Sequence, residues 1–90
     1  MAVGEVWDMA EAVRRAVRDR LPGGVTVSFL PEERWRIRRR RRGVWRVWGE
    51  AQAGSGDVRL MIRFGAIIRL TPAGWRVRRV DTATSLMAAE

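Results

Sequence analysis

Arginine is the residue type of this sequence that has both the number and the spacing to do chemistry. All 18 basic residues are arginine, they stand against 10 acidic residues, and the formal net charge is +8. A guanidinium group carries five N–H donors in a planar fork that matches phosphate and carboxylate oxygens, and it stays protonated at physiological pH. The chemistry that these residues indicate is the binding of anionic groups.

The residue types that carry most catalytic chemistry are absent. The chain of 90 residues contains no His, Cys, Tyr or Lys, so it lacks imidazole bases, thiolate nucleophiles, Schiff-base amines and disulfides. The usual zinc ligands are missing for the same reason. We therefore expect a protein that is not an enzyme, with no catalytic residues, no metal and no cofactor.

The arginines are concentrated in the middle of the chain. Residues 34–80 hold 14 arginines against two acids and have a net charge of +12, whereas residues 1–33 and residues 81–90 each have a net charge of −2. A GC-rich coding sequence would explain why each cation is arginine rather than lysine. It would not explain where the cations cluster, so their placement is the informative observation.

The apolar pattern predicts the elements that must position these arginines. From Val3 to Leu21 apolar residues recur every three or four positions, which predicts an amphipathic helix over about residues 3–20, ended by Pro22 and the glycines after it. The pattern then changes to period two, which predicts strands over residues 24–30, 34–39, 43–50, 58–70 and 74–80. Residues 51–57 are expected to form a flexible loop, Gly65 to mark a bulge or bend, and residues 81–90 to form a frayed end or one helical turn.

This order of elements predicts a single α+β domain over residues 1–90. An N-terminal amphipathic helix would pack on one face of a four- to five-stranded antiparallel meander sheet. The outline is similar to cystatin-like and NTF2-like folds, a resemblance of element order that implies no functional residues. We expect a cytoplasmic location, because the N-terminal residues are acidic where a secretory signal is basic and because no apolar run reaches the length of a membrane helix.

Strand alternation predicts that the sheet face opposite the helix is covered by arginine. The residues expected there are Arg34, Arg36, Arg38, Arg46, Arg59, Arg63, Arg69, Arg76 and Arg78. Like charges on neighbouring strands repel one another, and neutralisation by a polyanion would relieve the repulsion. The alternative is that exposed strand positions default to arginine, with water and salt screening the repulsion.

A second cluster is a run of five cations at a predicted hairpin tip. It consists of Arg38, Arg39, Arg40, Arg41 and Arg42, followed by Gly43, which can adopt the positive φ of a tight turn. An arginine-tipped ribbon suits a nucleic-acid groove or a structured RNA. The alternatives are a docking surface for an acidic protein or an anionic lipid, and a solvated loop.

Five tryptophans are interleaved with the arginines. Alternation places Trp35, Trp45 and Trp75 on the helix side of the sheet, where they are expected to join Trp7 in the core. Trp48 falls on the arginine side. There it could stack on a nucleobase or form a cation–π contact with a neighbouring arginine, and the sequence leaves both interpretations open.

The acidic residues of the middle region show no spacing typical of a metal site or of an acid–base pair. We interpret Glu32, Glu33, Glu50 and Asp57 as turn and salt-bridge residues. The segment Gly54-Ser55-Gly56 lacks the lysine and the following helix of a phosphate-binding loop, so it is interpreted as a flexible connection.

Two functional hypotheses follow from these patterns. The first is a non-catalytic module that binds nucleic acid, DNA or RNA, mainly through phosphate contacts. Its predicted contact residues are Arg34, Arg36, Arg38, Arg39, Arg40, Arg41, Arg42, Arg46, Trp48, Arg59, Arg63, Arg76 and Arg78. The second is a small adaptor, inhibitor or structural subunit, of the kind found in phages and mobile elements, that docks on an acidic protein or a nucleoprotein complex through Met61, Ile67 and Ile68. These three residues could instead form a homodimer interface, and no membrane partner is expected.

Overall fold

The chain folds into one α-helix followed by five strands that form a single antiparallel sheet. The computed structural model describes the backbone of residues 3–86 and the side chains of residues 8–86. The elements are α1 (Val3–Asp19), β1 (Thr26–Phe29), a 3-10 helix (Glu32–Arg34), β2 (Arg36–Arg41), β3 (Val44–Ser55), β4 (Val58–Thr71) and β5 (Gly74–Leu86). Every strand pair is antiparallel. The α+β architecture predicted from the sequence is confirmed.

Two short strands share one edge of the central strand β3. β1 pairs with the C-terminal half of β3, with Phe29 opposite Ala51, and β2 pairs with its N-terminal half, with Arg36 opposite Trp48. β4 pairs with the other edge of β3, and β5 follows β4. The 3-10 helix interrupts the shared edge after Pro31, a residue that has no N–H to donate to a strand partner. The sheet is therefore four strands wide, with its first strand divided into two.

The strands extend further than their sequence pattern indicates. β3 continues to Ser55 and β5 to Leu86, so residues 51–55 and 81–86 are strand rather than the predicted loop and frayed end. Ala51 and Ala53 are buried because the chain between α1 and β1 passes over them, and Leu21 packs against this cluster. The small residues Ala51 and Ala53 thus allow the segment before β1 to pack closely on the sheet, and they do not form a loop. Residues 87–90 of the predicted tail lie outside the described residues.

The core lies between α1 and the sheet. Its helix side consists of Met9, Ala10, Val13 and Val17. Its sheet side consists of Trp35, Val47, Phe64, Ala66, Ile68 and Val80, with Trp45 and Trp75 half-buried at its border. The predicted inward position of these three tryptophans is confirmed, and the side chain of Trp7 lies outside the described ones.

Two register shifts decide which face the last residues of β2 and β5 occupy. Arg40 is an additional residue in β2, between Arg39 opposite Trp45 and Arg41 opposite Val44. Arg78 is an additional residue in β5, between Val77 opposite Ile68 and Arg79 opposite Ile67. Each is a β-bulge, after which alternation continues with the faces exchanged. The irregularity predicted at Gly65 is wrong, because Gly65 pairs in regular register with Trp48 and Asp81.

Arg14 connects α1 to the 3-10 helix. Its guanidinium donates to Glu11 Oε1 at 2.7 Å and to Glu32 Oε2 at 2.5 Å, and its central carbon lies 5.3 Å from the ring centroid of Trp35. The carboxylate of Glu32 accepts a hydrogen bond from its own backbone N–H, which is the main reason why the pKa of Glu32 is lowered. Arg14 lowers this pKa further, although partial desolvation opposes the shift. The salt-bridge role predicted for Glu32 is observed.

Candidate anion-binding face

Arginines from four adjacent strands share the sheet face opposite α1. We call this surface the arginine face. Strand register places on it Arg36, Arg38, Arg41, Arg46, Arg59, Arg63, Arg69, Arg76 and Arg79. All nine side chains are exposed. The bulge residues Arg40 and Arg78 line hollows of the same face.

The cross-strand rows of this face put cations next to cations. One row runs from Arg38 through Arg46 and Ile67 to Arg79. Directly opposite like charges destabilise a sheet by a few tenths of a kcal/mol, to roughly 1 kcal/mol. The face is therefore electrostatically strained in the absence of an anion.

Acidic side chains relieve this strain at two places among the described residues of the face. Glu50 Oε1 lies 3.6 Å from Arg63 Nε, and Asp81 Oδ2 lies 3.2 Å from Arg79 Nε. Both pairs are largely exposed, so their stabilisation is small and is screened by salt. The greater part of the positive charge is left available to an external anion.

The prediction that five arginines form the tip of the hairpin is wrong. Residues 38–41 belong to β2, and the connection to β3 contains only Arg42 and Gly43. Gly43 has a φ of 75°, which allows a two-residue turn, so the strand pairing continues almost to the end of the hairpin. The extra residue is absorbed by the bulge at Arg40.

Three of the predicted contact residues are placed on the arginine face neither by strand register nor by a bulge: Arg42 in the turn before β3, Arg39 and Arg34. Arg39 stands opposite Trp45 on the helix side, and its guanidinium carbon lies 6.0 Å from the ring centroid of Trp45. The cause is strand alternation before the bulge, which sends Arg38 and Arg39 to opposite faces. Arg34 belongs to the 3-10 helix and borders a hollow together with Arg36 and Trp48.

Trp48 lies on the arginine face as predicted and is half-buried. Its ring is beside Gly65 of β4, where a side chain carbon would meet Trp48 Cδ1 at 3.6 Å. The guanidinium carbon of Arg46 lies 4.5 Å from the ring centroid. Of the two contacts that the sequence leaves open, the cation–π contact with a neighbouring arginine is formed.

Sequence alternation misses Arg79, and the predicted docking contact includes one buried residue. Arg79 would face the helix in a regular strand, but the bulge at Arg78 brings it to the arginine face. The sequence carries one signal of the bulge, the consecutive pair Arg78-Arg79 followed by Val80. With Val77 inward, regular alternation would bury Arg79 and expose the apolar Val80. Ile68 is fully buried in the core, whereas Met61 and Ile67 are half-buried on the arginine face. The docking or dimer contact expected of Met61, Ile67 and Ile68 therefore cannot include Ile68, which has no exposed surface.

Other kinds of site find little support in the part of the chain that the structure describes. No three His, Cys, Asp or Glu side chains of residues 8–86 come together as a metal site requires. The described helical residues form no helix that is long and apolar enough to cross a membrane. The chain matches no protein-family model, no curated protein and no solved structure.

Proposed function

We propose that this chain is a non-catalytic module that binds nucleic acid through its arginine face. The observation that carries the proposal is the gathering of nine exposed arginines from four strands on one face. In a duplex the phosphate charges are about 1.7 Å apart along the helix axis. A broad surface of fixed cations suits such a polyanion better than it suits a single small anion.

Binding would be driven by phosphate neutralisation. Each arginine that meets a phosphate releases a condensed counterion, so affinity falls steeply as the salt concentration rises. Arginine forks also make bidentate contacts with phosphate oxygens. Contacts of this kind position the ligand and read little sequence, so we expect weak discrimination among base sequences.

The stack of Arg46 on Trp48 offers a place for a nucleobase. The indole is only half-buried and Arg46 is exposed, and the guanidinium carbon lies over the ring, 4.5 Å from its centroid. Unpaired bases stack on aromatic rings and on guanidinium planes. This feature favours ligands with accessible bases, such as single strands, over a closed duplex.

Fluorescence anisotropy against salt concentration tests the proposal. Labelled single-stranded DNA, duplex DNA and RNA of equal length are titrated with the protein from low to physiological salt. We expect log affinity to fall linearly with log salt, by about 0.7 to 0.9 per phosphate neutralised, with binding that persists near physiological salt. Loss of all binding near physiological salt, for every ligand, would contradict the proposal.

A docking surface for an acidic protein is the second candidate. It is favoured by Met61 and Ile67, which are half-buried apolar side chains among the arginines of the same face. Apolar spots surrounded by charge are typical of protein interfaces. An acidic protein added as competitor to the anisotropy titration separates the candidates. If the face is a general polycation surface, the acidic protein displaces the labelled oligonucleotide as well as an unlabelled oligonucleotide does. If the face is specific for nucleic acid, the acidic protein displaces the labelled oligonucleotide less well.

A further inference from the structure

Two β-bulges place two consecutive arginines on each side of one hollow. Arg40 and Arg41 come from β2, and Arg78 and Arg79 come from β5. The four side chains border a hollow of about 420 Å³ on the arginine face. In a regular strand only one residue of each consecutive pair would point to this face. The bulges therefore double the number of guanidinium groups that the two strands bring to the hollow.

The floor of this hollow is apolar. It is formed by Val44 of β3, which is 5% exposed, and by Ile67 of β4, which is half-buried. The hollow has no acidic side chain among its lining residues within the described part of the chain. Charge-assisted hydrogen bonds are stronger where water is partly excluded. The apolar floor offers an anion no competing side-chain hydrogen bond, so the guanidinium groups of the walls are its partners. One of them, that of Arg79, also pairs with Asp81 Oδ2 at 3.2 Å.

The two walls of the hollow are β2 and β5, and the width of the sheet determines the distance between them. β2 and β5 are separated by two strands, β3 and β4, and hence by roughly 14 Å. Arginine side chains border the hollow on both walls, so they can approach an anion over Val44 and Ile67 from opposite sides. A neighbouring hollow of about 160 Å³ is lined by Arg40 and Arg79 of the same walls, by Arg46 and by one acidic residue, Asp81. A chain of linked anions can thus occupy the main hollow and pass along the row of Arg46.

We propose that this hollow is the principal phosphate anchor and that it takes a phosphodiester group of a nucleic-acid backbone. The inference rests on the proposed function and deepens it, because it assigns the strongest contact to one place on the face. A phosphodiester fits better than an isolated anion, since further arginines lie along the rows on both sides of the hollow. These are Arg38, Arg46, Arg69 and Arg76.

A charge-matched pair of double variants tests the anchor. R40Q/R78Q removes one guanidinium from each wall, and R59Q/R63Q removes the same charge from the other end of the same face. At one salt concentration, we expect R40Q/R78Q to weaken binding of one oligonucleotide about tenfold or more. We expect R59Q/R63Q to weaken it only about twofold, because both residues lie four or more positions along β4 from Ile67 and Arg63 already pairs with Glu50. Circular dichroism and thermal unfolding verify that both variants are folded.

The outcomes separate the anchor from the proposed function. Equal losses in the two variants would overturn the anchor, while the nucleic-acid function would stand on the charge of the whole face. Failure of the unmodified chain to bind any oligonucleotide at physiological salt would overturn both. If R40Q/R78Q does not fold, the second measurement below decides.

The second measurement uses the unmodified chain and nuclear magnetic resonance. Backbone amide shifts are followed during titration with a short single-stranded oligonucleotide and, separately, with inorganic phosphate at equal ionic strength. We expect the largest changes at Val44, Ile67 and Arg79 with the oligonucleotide, and saturation at a much lower concentration than with phosphate. Changes centred on other parts of the face would overturn the anchor, and equally tight binding of inorganic phosphate would overturn its assignment to a backbone phosphodiester.

Discussion

The guanidinium group of Arg46 lies over the indole ring of Trp48, 4.5 Å from its centroid. The two residues are two positions apart in β3 and share the arginine face. Gly65, opposite Trp48 in β4, leaves room for the ring at the surface of the sheet. Trp48 is thus held in place by its own neighbours, and a nucleobase would extend an existing stack.

Replacement of Trp48 by Leu tests whether this stack contacts bases. We expect W48L to weaken binding of single-stranded oligonucleotides about fivefold or more, since stacking contributes roughly 1–3 kcal/mol per base. Binding of a duplex should change less than about twofold, because its bases are already stacked. Anisotropy titrations of both ligands at one salt concentration measure the difference. An equal loss for both would show that Trp48 acts only through the structure of the face.

Two neighbouring arginines with the same charge should differ in their effect on binding. Arg38 belongs to the arginine face, whereas Arg39 stands on the helix side opposite Trp45. We expect R38Q to weaken binding about threefold, through loss of one surface contact of about 0.5–1 kcal/mol, and R39Q to leave it within about 1.5-fold. Equal effects in parallel titrations would mean that net charge alone, and no particular face, determines affinity.

Gly49 is required by the aromatic cluster beneath it. A side chain carbon at this position would overlap the ring of Phe64 and would approach Trp35 Cδ1 to 2.9 Å. We expect G49A to lower the free energy of unfolding by about 1–3 kcal/mol, because the two rings cannot both move away. Urea unfolding measures this loss.

G54A is the matched control for this substitution. Gly54 lies in the same strand, and a side chain carbon there would meet its nearest neighbour, the Val58 carbonyl oxygen, at an ordinary 3.7 Å. We expect the free energy of unfolding of G54A to stay within about 0.5 kcal/mol of that of the unmodified chain. Similar losses in G49A and G54A would show that the space occupied by Phe64 and Trp35 is not the cause.

The backbone hydrogen bond of Glu32, together with its contact with Arg14, makes stability depend on pH in the acid range. The pKa of Glu32 is lowered from its ordinary 4.5 in the folded chain, so the unfolded chain binds the proton more readily. The resulting stabilisation is present above the unfolded pKa and is lost as the pH falls through the folded pKa. We expect E32Q to be less stable than the unmodified chain near pH 6, and the difference to shrink on acidification to about pH 3.

Denaturant unfolding of both chains across this pH range checks the prediction. E33Q is the control, because it removes the same charge from the adjacent position, where the side chain is exposed. We expect E33Q to lose less stability than E32Q near pH 6, because the Arg14 guanidinium binds the carboxylate of Glu32. A stability difference between E32Q and the unmodified chain that stays constant from pH 6 to about pH 3 would contradict the prediction.

The helix and the inward side of the long strands could be predicted from the sequence. Packing against the core makes apolar residues recur every three or four positions in a helix and at every second position in a strand. The predicted helix over residues 3–20 differs by one residue from α1. In β4 the even-numbered apolar residues from Leu60 to Ile68 all lie on the helix side, and the strand itself contains no bulge. The helix side of Trp35, Trp45 and Trp75 follows from the same alternation.

The bulges could not be predicted because they are properties of strand pairs. Whether Arg40 or Arg78 is the extra residue depends on how each outer strand aligns with its neighbour, and this alignment is fixed by the turn at Gly43 and by the burial of Val80. The arginine run between residues 38 and 42 has no apolar residue to show its register. The run therefore predicts a five-residue tip that the strand pairing does not form. Regular alternation likewise places Arg79 on the helix side, because it does not include the change of face at Arg78.

The bulge at Arg78 changes which residues of β5 face the helix. Before it, the odd-numbered residues Trp75 and Val77 lie on the helix side, and after it the even-numbered residues from Val80 onward do. Deletion of Arg78 would remove the bulge and leave Arg79 on the arginine face and Val80 in the core, because the remaining residues then alternate regularly. Deletion of one residue from the regularly paired part of the strand after Val80 would instead move every later side chain to the opposite face. This strand should therefore tolerate a shortening at its bulge better than a shortening elsewhere.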